Sequence, residues 1–248
     1  MSDKRRLDLL LTERGLAADI AEARALIGAG QVLVGTRADC KAGTLVALAS
    51  ELRLRKEKSP YVSRSGAKLA GGLRDFSIDP SGWICADIGC STGGFTDCLL
   101  QQGAARVYSV DVGYGLLAWK LRQNPRVVVL ERTNARLLSA TQIPDPLHLA
   151  VIDASFISLQ LLLPPLLPLF NGPVRIVALV KPQFELPKEK VGAGGIVREP
   201  LLREEALAAI SQFAAEIGLA CVGRATADIC GSGGNQEFLL HFTSAGYI

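Results

Sequence analysis

Histidine is nearly absent from this sequence, which has only His148 and His241 among its 248 residues. Two histidines are too few for a histidine-rich metal site, and they argue against a Ser-His-Asp hydrolase. None of the six cysteines belongs to a C-x-x-C pair, and several lie within apolar patterns. We therefore predict buried free thiols, as is typical of a protein from the reducing cytoplasm, and no bound metal.

Long apolar runs are also missing. The longest, residues 159–170, is interrupted by Pro164, Pro165 and Pro168. It is too short and too broken to cross a bilayer, and the N-terminal residues lack the apolar core of a signal peptide. These absences predict that the protein has no membrane partner. With 49% hydrophobic and 21% charged residues, the composition is that of a globular protein with a core.

Positive charge is concentrated at one end of the chain. Residues 1–68 carry 13 lysines and arginines against eight acidic residues, whereas residues 69–248 carry 14 against 16. A basic N-terminal part on a near-neutral body predicts that a polyanion is bound at that end.

The first 55 residues or so have the pattern of a small α+β module. Leu7, Leu10 and Leu11 have helical spacing, and Asp19 and Glu22 resemble a capping box that opens a second helix. Short strands are expected over 31–34, 44–48 and 52–54. A charged stretch that ends at Pro60 predicts a linker, which gives domains at 1–58 and 61–248.

This module resembles the αL RNA-binding motif that is named after a small-subunit ribosomal protein. The matching stretches are Arg6-Leu7-Asp8, Gly15-Leu16-Ala17, Ala23–Ile27, Gly30–Gly35 and Lys41-Ala42-Gly43. Asp19-Ile20 stands where that family usually has Ser-Arg, so one phosphate contact of the family is missing. The resemblance implies RNA binding, and the residues that we assign to it, together with one in the second domain, are Arg5, Arg6, Arg24, Arg37, Lys41 and Arg64.

A glycine-rich turn organises the rest of the chain. A buried strand over 83–88 leads into Gly89-x-x-x-Gly93-Gly94 and then into a helix that ends before Gly103. We expect these glycines to allow positive φ angles and the close approach of a ligand. Asp87 before the turn and Asp111 at the end of the next strand suit a ligand with hydroxyls and a positive charge. S-adenosylmethionine has both.

Two other interpretations of the turn remain open. It has neither the G-x-G-x-x-G spacing nor the lysine of a P-loop, so it can be an ordinary strand–helix turn. Asp111 lies 22 residues after Gly89, near the offset of the acidic residue in nicotinamide-dependent dehydrogenases. That enzyme class is the second candidate function.

Strands and helices alternate after the turn, which predicts a mostly parallel sheet. Strands are expected at 107–111, 127–131, 147–153, 174–180, 219–226 and 237–243, and helices at 116–123 and 201–217. The fold class is therefore α/β, and the strand count matches the Rossmann-like seven-stranded methyltransferase sheet. In that fold we expect the last hairpin to run against the other strands.

Four charged residues lie at the ends of elements that should converge near the glycine turn: Lys68, Asp153, Lys181 and Glu237. Taken singly, each has an ordinary structural explanation. Together they resemble the Lys-Asp-Lys-Glu tetrad of the FtsJ-like ribose 2′-O-methyltransferases. The motifs are Ser65–Leu69, Val151–Phe156, Leu179–Glu185 and Asn235–Leu239.

With the RNA-binding module in front, the whole chain resembles the TlyA family of ribosomal-RNA 2′-O-methyltransferases, some of which are labelled haemolysins. The resemblance implies S-adenosylmethionine as cofactor and ribosomal RNA or ribosomal subunits as partner. It implies Lys181 as the base that takes the hydroxyl proton, which a lysine can do only in its neutral form. Asp153 would orient Lys181, and Glu237 would position Lys68 or the ribose.

The non-enzymatic alternatives are an RNA-binding scaffold with no methyl transfer and a toxin. The scaffold predicts RNA binding alone, and the toxin lacks any apparent spanning segment. We assign the cofactor to a set of residues around the turn and the next two strand ends: Asp87, Gly89, Ser91, Gly93, Gly94, Phe95, Asp111 and Asn134.

Overall fold

The computed structural model describes residues 3–28, 32–35, 41–54, 60–227, 229 and 234–244. Contacts divide the chain into two compact units, Met1–Lys58 and Ser59–Ile248. The predicted linker residues 55–58 lie outside the described residues, and so does Arg37.

The first unit pairs two small antiparallel sheets with two helices. Strand β1 pairs with β3, β2 pairs with β4, and the leucines with helical spacing point into the core, as predicted. Strand β1 was not predicted, because its three residues are all charged and exposed and give no apolar pattern. The elements are β1 (Lys4–Arg6), α1 (Leu7–Glu13), α2 (Ile20–Gly28), β2 (Val32–Val34), β3 (Leu45–Ala47) and β4 (Leu52–Leu54).

The capping box at the start of α2 is present. The Glu22 backbone N–H donates to the Asp19 carboxylate over 2.8 Å. The Glu22 side chain in turn accepts a bond of 2.6 Å from the N–H of Ala18, one residue earlier than the usual partner. Both bonds satisfy backbone donors at or before the first turn, so the sequence pattern identified the start of this helix correctly.

The second unit is a seven-stranded sheet covered by helices on both faces. Side chains alternate along its strands into two apolar clusters, so that both faces are buried. The strands are β5 (Ile84–Ile88), β6 (Arg106–Val110), β7 (Val127–Leu130), β8 (Leu149–Ile152), β9 (Arg175–Val180), β10 (Leu219–Thr226) and β11 (Phe238–Ser244). The helices are α3 (Ser65–Asp75), α4 (Gly94–Gln101), α5 (Trp119–Arg122), α6 (Leu163–Leu166), α7 (Pro182–Glu185) and α8 (Pro200–Glu216).

The strand order is β10-β11-β9-β8-β5-β6-β7, with β9, β8, β5, β6 and β7 parallel. Strand β11 is antiparallel to β9, and β10 is antiparallel to β11, so β10 runs in the common direction. The prediction that the whole last hairpin is reversed was therefore wrong, and only β11 is reversed. The order of connection changes direction between β5 and β8, and their carboxyl ends are where such sheets bind ligands.

The helix predicted over 116–123 is shorter, because only Trp119–Arg122 is helical. Ala118 has an extended backbone with ψ 138°. The buried side chains of Leu117 and Leu121 have helical spacing, yet both pack on the glycine turn, where a Cβ on Gly93 would lie within 2.7 Å of each. The spacing of Leu117 and Leu121 therefore reflects their burial against the glycine turn and not a continuous helix.

Candidate active site

The turn after β5 has two left-handed glycines rather than three. Gly89 has φ +81° and Gly93 has φ +94°. A Cβ on Gly89 would lie 2.8 Å from the carbonyl oxygen of Asp153, so glycine lets β5 and the end of β8 approach closely. Gly94 has no positive φ. Glycine is required at this position for a steric reason, because a Cβ would lie 2.0 Å from the Ser65 hydroxyl oxygen.

A cavity of about 440 Å³ opens beside this turn at the carboxyl ends of β5, β6 and β8. We call it the first cavity. Four of the predicted cofactor residues line it: Gly89, Ser91, Asp111 and Asn134. The other four do not line it, and their assignment to the cofactor stays a prediction: Asp87, Gly93, Gly94 and Phe95.

Asp87 lies beneath the turn and is fully buried. One carboxylate oxygen accepts bonds of 2.8 and 2.7 Å from the backbone N–H and hydroxyl of Thr96. The other oxygen has no hydrogen-bond partner in the described part of the chain. Burial, with the nearby charges of Asp153 and Asp111, raises the pKa of Asp87 to about 7.

Asp111 braces the loops around the first cavity. Its two oxygens accept backbone bonds of 2.8 Å from Ser91 and 2.7 Å from Gly113. Each oxygen keeps a further lone pair for a ligand hydroxyl. Asn134 caps a short 3₁₀ turn by accepting a bond of 3.1 Å from the N–H of Arg136, which leaves its amide N–H₂ available to a ligand.

The apolar wall of the first cavity was not predicted. It includes Val112 and Leu116 after β6 and Phe156 and Ile157 after β8. Phe156 is 90% exposed. Its backbone has φ +64°, a left-handed conformation that is costly for a non-glycine residue. The only sequence signal was the position of these residues just after the acidic strand ends.

A second cavity, of about 360 Å³, holds all four residues of the predicted tetrad. Lys68 lies 2.5 Å from a carboxylate oxygen of Glu237, and Lys181 lies 2.7 Å from one of Asp153. Lys181 also bonds to the Ser155 hydroxyl over 2.8 Å. Two lysines and two carboxylates with little solvent exposure therefore form two ion pairs in one polar cavity.

The two cavities are adjacent. Ser91, Asp153 and Ser155 line both of them. A molecule in the first cavity and one in the second would meet at these three residues. Such an arrangement is suited to the transfer of a group from one bound molecule to another.

Glu185 joins the segments that carry Asp153 and Lys181. Its carboxylate accepts bonds of 2.5 Å from the Ser158 hydroxyl and 3.0 Å from the Leu159 N–H. Burial raises the pKa of Glu185. The residue belongs to the motif that contains Lys181, but no pattern in the sequence indicated its role.

The FtsJ-like methyltransferase family model matches residues 61–244, which include both cavities. The chain belongs to the FtsJ-like methyltransferase family. A Mycobacterium tuberculosis protein named 16S/23S rRNA (cytidine-2′-O)-methyltransferase TlyA is 45% identical over 97% of this chain and 90% of its own length. Hemolysin A of Brachyspira hyodysenteriae is 38% identical over 96% of this chain and 99% of its own length.

Solved structures agree with this membership. A Streptococcus thermophilus protein named as a hemolysin superposes with a TM-score of 0.76, at 41% identity, over 99% of this chain and 90% of its own. The predicted resemblance to the TlyA family and the predicted fold class are thus confirmed. Among the described residues, no helix has both the length and the apolar character needed to cross a membrane.

Membership of this FtsJ-like family decides the class of enzyme. The chain is a methyltransferase, and its cofactor is S-adenosylmethionine. The alternative of a nicotinamide-dependent dehydrogenase is therefore wrong. That alternative rested on the offset of 22 residues between Gly89 and Asp111.

Three of the arginines predicted to bind RNA, Arg5, Arg6 and Arg24, have carboxylate partners in the first unit. Arg6 holds Asp8 with two bonds of 3.0 and 2.7 Å, and Arg24 lies 3.1 Å from the same carboxylate. Arg5 pairs with Glu13. Asp8 is buried, and the Arg6 guanidinium holds its pKa below the usual range. Arg6 and Arg24 therefore stabilise this unit, whatever else they bind.

The remaining predicted RNA contacts divide between the two units. Lys41 is exposed in the first unit. Arg64 is exposed in the second, on the residue before α3, where it lines the second cavity. Of the predicted buried thiols, Cys85, Cys90 and Cys98 are buried as expected, whereas Cys221 is exposed.

Proposed function

We propose that this chain transfers a methyl group from S-adenosylmethionine to a ribose 2′-hydroxyl of ribosomal RNA, with Lys181 as the general base. The activity named for the Mycobacterium tuberculosis relative supports the substrate class. The observation that carries the proposal is that Asp153 and Ser155 line both cavities while each contacts Lys181. An amine at this junction can reach a hydroxyl in the second cavity beside a methyl donor in the first.

The residues of the first cavity fit S-adenosylmethionine, which supplies an electrophilic methyl group on a sulfonium. Asp111 keeps lone pairs for ribose hydroxyls, and the Asn134 amide can bond to the edge of an adenine. Glycine at position 89 leaves room that a Cβ would fill. The carboxylate of Asp153 at the junction favours a positive charge nearby.

The second cavity would then receive the ribose. Lys181 Nζ, in its neutral form, accepts the proton that the 2′-hydroxyl loses as its oxygen attacks. Asp153 holds Nζ in place, and the Lys68–Glu237 pair forms the polar surface that positions the ribose. A positioned base of this kind contributes about 10²- to 10⁴-fold to the rate.

We further propose that residues 1–58 form an RNA-binding domain and residues 61–248 the methyltransferase domain. The exposed cations of the first unit, which include Lys4 and Lys41, support an electrostatic contact with phosphates. Arg64, exposed on the second cavity, would contact a phosphate next to the target ribose.

The test is single-turnover transfer of tritiated methyl groups to ribosomal subunits, with mapping of alkali-resistant linkages in the RNA. Lys181→Ala should lose most of the rate while it keeps cofactor binding. Lys181→Arg should fail nearly as badly, because a guanidinium keeps the charge but cannot act as a base near neutral pH. Lys120→Arg is the control, since Lys120 is exposed, pairs with Asp97 and should tolerate the change.

Near-normal transfer by Lys181→Arg would contradict the role of Lys181 as the base. Its role would then be purely electrostatic. Label that appears in alkali-labile positions, or in protein rather than RNA, would contradict the proposed substrate. Normal cofactor affinity, measured by calorimetry, is needed in each variant to attribute a lost rate to the transfer step.

A further inference from the structure

Ser155 contacts Lys181 and lies on both cavities. It follows Asp153 by two residues at the end of β8, and its hydroxyl oxygen lies 2.8 Å from Lys181 Nζ. Ser155 itself is exposed, so its hydroxyl could be satisfied by water. In the proposed transfer Lys181 and Asp153 have roles, whereas the Ser155 hydroxyl has none.

The geometry of an amine indicates a role for the Ser155 hydroxyl. A neutral lysine Nζ has two N–H bonds and one lone pair in a tetrahedral arrangement around the nitrogen. Lys181 Nζ has two hydrogen-bond acceptors within reach, Asp153 Oδ1 at 2.7 Å and Ser155 Oγ at 2.8 Å. If both N–H bonds are directed at these acceptors, the lone pair takes the remaining position.

We infer that Ser155 is a positioning residue that, together with Asp153, directs the Lys181 lone pair into the second cavity. One acceptor would fix only one N–H bond and leave the amine free to rotate about Cε–Nζ. A second acceptor removes that rotation. The inference rests on the proposed role of Lys181 as the base.

The chemistry of a hydroxyl suits this second position. A carboxylate there would form another charge-assisted bond and favour the protonated lysine, which cannot accept a proton. A serine oxygen accepts the N–H bond without adding negative charge, and its own hydrogen remains free to donate elsewhere. The serine therefore orients the amine at the least cost to its basic form.

The experiment compares Ser155→Ala and Ser155→Thr in the full chain, with single-turnover methyl transfer to ribosomal subunits as the readout. Loss of the acceptor in Ser155→Ala should lower the transfer rate about 10- to 100-fold, since misplacement of a reacting group has effects of that size. The dissociation constant of the cofactor and the KM for subunits should stay within about twofold. Ser155→Thr keeps a hydroxyl and should recover most of the rate.

Ser211→Ala is the matched control, because the Ser211 hydroxyl bonds to a carbonyl of its own helix α8. A normal transfer rate in Ser155→Ala, with Lys181→Ala inactive, would overturn the inference and leave the proposed base intact. A rate as low in Ser155→Thr as in Ser155→Ala would also overturn it, because the hydroxyl would then not be what matters. Near-normal transfer by Lys181→Arg would remove both proposals together.

Discussion

Lys68 Nζ lies 2.5 Å from a carboxylate oxygen of Glu237, although 169 residues separate them in the chain. Their side chains are only 10% and 4% exposed. Removal of one partner from such a pair leaves an uncompensated buried charge, whereas removal of both charges can be nearly neutral. A comparison of single and double variants can therefore distinguish a structural role of the pair from a catalytic role.

Lys68→Ala and Glu237→Ala should each lower the free energy of unfolding by about 3–5 kcal/mol, the cost of a buried unpaired charge. The double variant Lys68→Met/Glu237→Gln should recover much of that stability in urea unfolding. It should not recover methyl transfer, because the polar surface for the ribose is gone. Recovery of activity together with stability would show that the pair only supports the fold.

We expect Asp111 to contribute to the affinity for S-adenosylmethionine through more than one hydrogen bond. Asp111→Ala removes the proposed acceptor for ligand hydroxyls and the two backbone bonds from Ser91 and Gly113. Hydrogen bonds to a charged group contribute about 1.5–3 kcal/mol, so we expect S-adenosylmethionine to bind about 10- to 100-fold more weakly in calorimetry.

A companion measurement separates contact from support. Asp111→Asn keeps an acceptor oxygen and should lose less affinity than Asp111→Ala. Hydrogen exchange at Gly113 should become faster in Asp111→Ala even without ligand. Unchanged affinity in both variants would place the cofactor outside the first cavity.

In the first unit, charge reversal at Arg6 should damage the fold. Arg6→Glu would place a second carboxylate beside buried Asp8. Hydrogen exchange in helix α1 should therefore accelerate in the full chain. A loss of RNA binding in this variant would not identify a phosphate contact. Unchanged exchange would contradict the structural role of the Arg6–Asp8 pair.

Exposed lysines give the cleaner test of RNA binding. The variant Lys4→Gln/Lys41→Gln should weaken RNA binding and reduce the slope of log affinity against log salt. The reduction is expected to be about 0.7–0.9 for each phosphate contact that is lost. Exchange in α1 should not change. Arg74→Gln, an exposed change in the second unit, is the control, and an unaltered salt slope in the double variant would exclude these lysines from the RNA contact.

The sequence predicted the convergence of the tetrad for a physical reason. Asp153 and Lys181 follow adjacent parallel strands, and such strands end at the same edge of a sheet. The Lys68–Glu237 contact depends on the helix and the reversed last strand that flank this edge. The motif resemblance, rather than spacing, identified those two.

Other features depend on tertiary contacts that leave no local pattern. Arg24 bonds to the carboxylate of Asp8, 16 residues earlier in the chain, and no local pattern predicts that pair. The place of Asp87 before the glycines predicted a ligand contact, but no local pattern predicted that its carboxylate would bond to Thr96 in the helix after the turn. The left-handed conformation of Phe156 belongs to the loop between β8 and Leu159, whose N–H bonds to Glu185, and no residue propensity indicates it.

Burial of Asp87 has a consequence for stability that can be measured. The folded-state pKa of about 7 lies above the unfolded value of about 3.9, so the folded protein holds a proton that the unfolded chain releases in that interval. The contribution of Asp87 is fully present below about pH 3.9 and is lost as the pH rises to about 7. Asp87→Asn removes this titration, while its amide oxygen can still accept the bonds from Thr96.

The free energy of unfolding of Asp87→Asn minus that of the parent should therefore rise between about pH 4 and 7 and level off above. The slope should reach at most about 1.4 kcal/mol per pH unit, the value for one proton. Asp145→Asn is a control of opposite sign, because a bond of 2.6 Å from the Tyr108 hydroxyl and the nearby Arg106 lower the pKa of Asp145. That carboxylate stabilises the fold above its unfolded pKa, so its loss should matter least at low pH. Urea unfolding without cofactor measures both differences, and a flat difference for Asp87→Asn from pH 4 to 8 would mean that Asp87 ionises in the folded state as it does in the unfolded chain.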